Sequence, residues 1–116
     1  MTKNNFEKEK LIRYWIDRTI ENYLRLIRKK YDGIEKAYLF GSYAKGKSNQ
    51  DSDIDLALIF KDLDDLERFD IQVQLMLMAA QIDSRIEPHP ISINDFNSGN
   101  PFVAEIQKTG IEIKYG

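Results

Sequence analysis

Residues 5–30 carry apolar side chains at helical spacing. Ile12, Ile16, Ile20, Tyr23 and Ile27 fall on one stripe, which predicts a long amphipathic helix. Leu11, Tyr14, Trp15 and Leu24 widen that stripe beyond one packing face. A broad core face is the first reading, and a contact of Tyr14 and Trp15 with a partner or a second copy is the sharper one. Arg28, Lys29 and Lys30 complement the helix dipole, and Asp32-Gly33 breaks the helix. A strand is predicted over residues 34–40, with Ala37 and Leu39 inward. The near-continuous apolar run over 54–60 suits a central strand covered on both faces.

Downstream, Asp62 has the chemistry of an N-cap, opening a helix to about residue 81 or 82. Leu66, Phe69, Val73, Met76, Leu77 and Ala80 form its predicted core face. Ile71, Leu75 and Met78 lie off that face, so the second half is apolar nearly all round. Such a helix is either deeply buried or touches another chain, and the small size of the domain favours the contact. Residues 85–92 read as a strand in which Pro88 and Pro90 withhold N–H groups from one side, which predicts a sheet edge. A loop (94–100), a short helix (101–108) and a last strand (111–114) complete the chain. The expected class is α/β (α+β), a small mixed sheet with helices packed on it.

Bulk properties narrow the function classes. A chain of 116 residues forms one domain, 1–116, with one modest core. It has no cysteine and a single histidine, which excludes disulfides, thiolate zinc sites and histidine-rich metal clusters. Charges interrupt the apolar positions of the first thirty residues throughout, so neither a signal peptide nor a spanning segment is expected, and the cytoplasm is the default location. The net charge of −2 and acidic pI near 5.4 argue against direct nucleic-acid binding.

The chemistry concentrates between the first two strands. Asp53 and Asp55 lie two apart where an apolar strand begins, so both project from one face. Two anions so close call for a cation between them, and a hard divalent ion bound through oxygen is the usual solution. Upstream, Gly41 lets backbone approach a ligand, Ser42 offers a hydroxyl, and turn N–H groups with Lys45 and Lys47 suit phosphate. Residues 41–48 also fit the P-loop pattern letter for letter. A P-loop must run into a helix, whereas Ser48 is followed by turn residues and an apolar strand, so that match is accidental. The acidic group Asp62, Asp64, Asp65 and Glu67 is read as helix-start complementarity rather than as a second metal site.

Gly41-Ser42, a ten-residue spacer and Asp53-Ile54-Asp55 resemble the signature of polymerase-β-type nucleotidyltransferases. The chain is most similar to their minimal single-domain members, the MNT proteins paired with HEPN-domain partners in toxin–antitoxin modules. The resemblance implies the polymerase-β-type nucleotidyltransferase fold and transfer of a nucleoside monophosphate, AMP from ATP, to a hydroxyl on a HEPN partner. It implies one or two Mg2+ ions held by Asp53 and Asp55, with Gly41 and Ser42 on the triphosphate and Lys45 and Lys47 nearby. The family often shows arginine at the position of Lys45. A third carboxylate is expected on a later strand, and Glu87 is the candidate as metal ligand and catalytic group. Its Glu-Pro-His-Pro setting departs from the family's apolar strand. His89 shares the face of Glu87 and is read as an incidental surface histidine. The alternative function is a non-catalytic antitoxin module that binds its partner by contact with a vestigial nucleotide site. Homo-oligomerisation through the apolar helix faces is a further expectation.

Overall fold

The computed structural model describes residues 5–49 and 51–114. The elements run α1 (Asn5–Arg28), β1 (Ile34–Phe40), β2 (Ile54–Phe60), α2 (Asp65–Ile82), β3 (Ile86–Ser92), α3 (Ile93–Phe96), α4 (Pro101–Thr109) and β4 (Ile111–Glu112). The strands form one mixed sheet in the order β3-β2-β1-β4. β1 is antiparallel to β2 and β4, while β2 and β3 are parallel and joined by the α2 crossover. Every residue of β2 except Asp55 is buried, as its run of apolar residues requires. β3 occupies the edge that its two prolines demand, and the Pro88 carbonyl accepts from Gln72 Nε2 at 2.7 Å.

Strand alternation divides the core into two layers. On one face Ile54, Leu56, Leu58 and Phe60 meet Ile16, Ile20, Tyr23 and Ile27 of α1 and Leu75 and Ala79 of α2. On the other, Ala57, Ile59 and Ile91 pack with Phe96 of α3 and Val103 and Ile106 of α4. A buried Tyr23 hydroxyl donates to the Leu75 carbonyl at 2.9 Å and ties α1 to α2. The two helical layers differ in extent, because α3 and α4 are short.

Several expectations need correction. Helix α2 turns the other way: Leu66 is 87% exposed and Phe69 75%, and Val73, Met76, Leu77 and Ala80 also face outward. Leu75 and Ala79 are buried, with Ile71 and Met78 packed beside them. The inward stripe carries two polar residues, Gln72 on the Pro88 carbonyl and Arg68 paired with Asp95 at 2.9 Å. These polar positions hide the buried face from a purely apolar reading. The N-cap of α2 is Asp64 rather than Asp62, its side chain accepting from Leu66 N–H at 3.0 Å. The expected loop 94–100 begins as a one-turn helix capped by Ser92. β4 ends at Glu112, although Ile113 N–H still donates to the Ala37 carbonyl. In α1, Ile12 is exposed, as are Leu11, Tyr14 and Trp15, the last at 60%. Among the described residues, no helix is long and apolar enough to cross a membrane.

Candidate active site

The end of the sheet at which β2 begins gathers side chains from three strands and one turn. Asp55 is the second residue of β2, directly opposite Phe40 of β1 and beside Glu87 of β3. Asp53 immediately precedes β2. Two residues beyond Glu87, His89 comes from the same face and brings its Nε2 to 3.3 Å from Asp55 Oδ1. Carboxylate oxygens of Asp55 and Glu87 and a ring nitrogen of His89 all lie within 4.8 Å of one another. The Glu87 carboxyl is held above its ordinary range. Loss of hydration is the main cause, Asp55 adds repulsion that His89 partly offsets, and Asp53 contributes repulsion and a hydrogen bond. Carboxylates gathered this closely form a set suited to a divalent cation.

The turn after β1 is shaped around Asp55. Gly41 has φ +74°, and a Cβ there would stand 2.5 Å from Asp55 Oδ2, so glycine alone permits this approach. The turn closes on itself: Lys45 N–H donates to the Gly41 carbonyl, Gly46 N–H to Tyr43 and Lys47 N–H to Ser42. The buried Tyr43 donates its hydroxyl to the Asn49 carbonyl at 2.9 Å and accepts from Arg85 at 3.4 Å. Arg85 is itself clamped to Asp83, with contacts of 2.7 and 3.1 Å. The turn, the spacer and the start of β3 are thereby locked together. Beyond Ser48 none of the described residues before β2 is helical, which excludes a P-loop.

Gly41, Asp53, Asp55 and Glu87 thus converge, and Ser42 is exposed on the same turn. Lys45 and Lys47 are exposed at its far side, and Lys45 Nζ lies 3.7 Å from Glu105 of α4. That exposed pair is weak. The acidic start of α2 does what helix starts do: Asp64 caps and Asp65 pairs with Arg68. Sequence reasoning missed Tyr43, and it placed His89 on the face of Glu87 but read it as incidental, because its distance to Asp55 depends on strand register. A cavity of about 490 Å³ lies at the opposite end of β2 between Tyr31, Phe60 and Ile71, and none of these site residues lines it.

Known proteins resemble this chain in sequence and fold. The family model described as polymerase beta, nucleotidyltransferase, matches residues 21–115. The protein adenylyltransferase MntA of Shewanella oneidensis is 34% identical over 65 residues, 55% of this chain and 45% of that protein. This chain therefore aligns with about half the length of that relative. A candidate nucleotidyltransferase from Sulfolobus solfataricus superimposes with a TM-score of 0.63 at 22% identity, covering 97% of this chain and 89% of that one. A toxin–antitoxin structure with AMP-PNP superimposes at 0.55 and 21% identity, covering 86% of this chain and 73% of that one. At these identities the two structures speak for the fold.

Proposed function

The chain belongs to the polymerase beta nucleotidyltransferase family, and from that premise we propose that it transfers AMP from ATP to a hydroxyl of a partner protein. The partner is a HEPN-type toxin, which the modification silences. The observation that carries this reading is the convergence of Asp53, Asp55 and Glu87 opposite a glycine turn that approaches Asp55 as closely as a backbone can. The naming of MntA as a protein adenylyltransferase and the solved toxin–antitoxin structure with AMP-PNP support the choice of reaction and partner. ATP as substrate implies a cytoplasmic setting.

In this reading Asp53, Asp55 and Glu87 would hold one or two Mg2+ ions, which would supply charge neutralisation to the transferring phosphate. Ser42 Oγ and the N–H groups at the start of the turn bind the triphosphate, since the later ones are committed within the turn. Lys45 can leave its exposed pair with Glu105 for phosphate at little cost, and Lys47 lies on the same turn. The acceptor oxygen forms a bond to the α-phosphorus, the bond to the α–β bridging oxygen breaks, and pyrophosphate departs. Glu87, whose proton affinity its neighbours raise, is the group on this chain suited to take the hydroxyl proton.

A second reading is a module that neutralises its partner by contact alone. The outward apolar stripe of α2 and the exposed Tyr14 and Trp15 of α1 favour a protein contact, with a partner or with a second copy, under either reading. The two are separated with radiolabelled ATP, the partner, and the Asp53→Asn, Asp55→Asn variant. Label on the partner that the variant fails to transfer, with binding retained, is the expected result. Neutralisation by the variant equal to that of the parent protein would overturn the catalytic reading.

A further inference from the structure

We infer that His89 is a metal ligand, and that Asp55, Glu87 and His89 form a mixed oxygen–nitrogen site that prefers first-row transition ions to Mg2+. The inference rests on reading these carboxylates as a cation site, but not on nucleotidyl transfer.

Geometry is the first support. Six-coordinate ions with bonds of about 2.1 Å place adjacent donors roughly 3 Å apart and opposite donors about 4.2 Å apart. The Asp55 Oδ1 to His89 Nε2 separation is 3.3 Å, and the three donor atoms all fall within 4.8 Å of one another. A cation can therefore enter with small side-chain adjustments.

The second support is rigidity. Asp55 and Glu87 are register partners in the parallel β2–β3 pair, and His89 faces Ala57 one step along. The imidazole packs edge-on against Phe40, with ring centres 5.0 Å apart, and Phe102 lies 6.3 Å from it and 5.7 Å from Phe40, so the three rings form one cluster. Donors fixed on two adjacent strands and backed by aromatic rings lose little freedom on binding a metal. Ligation requires the Nε2 lone pair, so the ring proton resides on Nδ1 in the metal-bound form.

Donor chemistry decides the preference. Carboxylates alone suit Mg2+, whereas an imidazole nitrogen adds affinity for Co2+, Ni2+ and Zn2+ and, more weakly, for Mn2+. Asp53 is outside this triad and hydrogen-bonds Glu87. The cluster thus offers an all-oxygen set and a nitrogen-bearing set that share Asp55 and Glu87.

The test uses the metal-free chain without nucleotide. Co2+ and Mg2+ are titrated separately into the parent protein and His89→Gln, following heat of binding and the visible absorption of Co2+. The parent is expected to bind Co2+ more tightly than Mg2+. His89→Gln should lose at least about tenfold in Co2+ affinity, the lower end of what even an outer-shell partner contributes. Its Co2+ band should move to that of an all-oxygen site, while Mg2+ binding changes little. Equal Co2+ affinity and an identical spectrum in both proteins, or no Co2+ binding to the parent, would overturn the inference. Should His89→Gln unfold, His89→Asn replaces it, with thermal melting as the control. AMP transfer is scored separately: its absence beside a His89-dependent Co2+ band removes the proposed function and leaves this site standing.

Discussion

Replacing Gly41 by alanine sets two effects against each other in a measurable way. Gly41 and Gly46 both have positive φ, +74° and +71°, so an alanine at either suffers the same left-handed backbone penalty. That penalty is about 1–2 kcal/mol. At Gly46 a Cβ meets nothing within 4 Å, whereas at Gly41 it stands 2.5 Å from Asp55 Oδ2 and 3.3 Å from Cγ. Ordinary van der Waals contact would need almost an ångström more, so Asp55 must rotate away or the turn must shift. Rotation also breaks the 3.3 Å contact of Asp55 with His89. Gly46→Ala should therefore lose about 1–2 kcal/mol in urea unfolding and keep its cation and ATP affinity. Gly41→Ala should lose at least as much stability and, in addition, about tenfold or more in metal affinity, since a ligand is misplaced. Denaturation curves and calorimetric titration of both variants give the two quantities. Metal affinity of Gly41→Ala equal to that of Gly46→Ala would refute the claim that this glycine exists to admit Asp55.

Other consequences can be checked with the same methods. Leu75→Ala should cost about 2–5 kcal/mol and Leu77→Ala under about 0.5, because only Leu75 is enclosed; the reverse order in urea melts would mean α2 is rotated. The raised proton affinity of Glu87 means the metal-free fold is favoured below its ordinary value of 4.5 and loses that contribution as pH rises through the higher folded value. Glu87→Gln should flatten that limb of a stability–pH curve. Asp83 behaves oppositely: Arg85 holds its carboxyl below the ordinary 3.8, so its contribution is present above that value and disappears as pH falls through the folded one. Asn100→Ala removes the cap on Phe102 N–H, 2.8 Å away, and should lower stability by about 1 kcal/mol with the sheet intact by circular dichroism.

The sequence by itself determined what depends on local period and residue chemistry. Alternation and apolar runs defined β1 and β2 to the residue, and the glycine–serine turn and paired aspartates between them marked the site. Pro88 and Pro90 assigned β3 to an edge because a missing N–H is a property of the residue wherever it sits. The tertiary structure alone decided which apolar face of α2 is buried. A helix apolar nearly all round carries no directional signal in its period, and the choice fell to polar tethers, Gln72 on Pro88, Arg68 on Asp95 and Leu75 on Tyr23, whose partners are distant in sequence. Glu87 and His89 reached Asp55 for the same kind of reason. Parallel register between β2 and β3 is a non-local pairing set by the α2 crossover, and nothing in the local sequence of either strand states it.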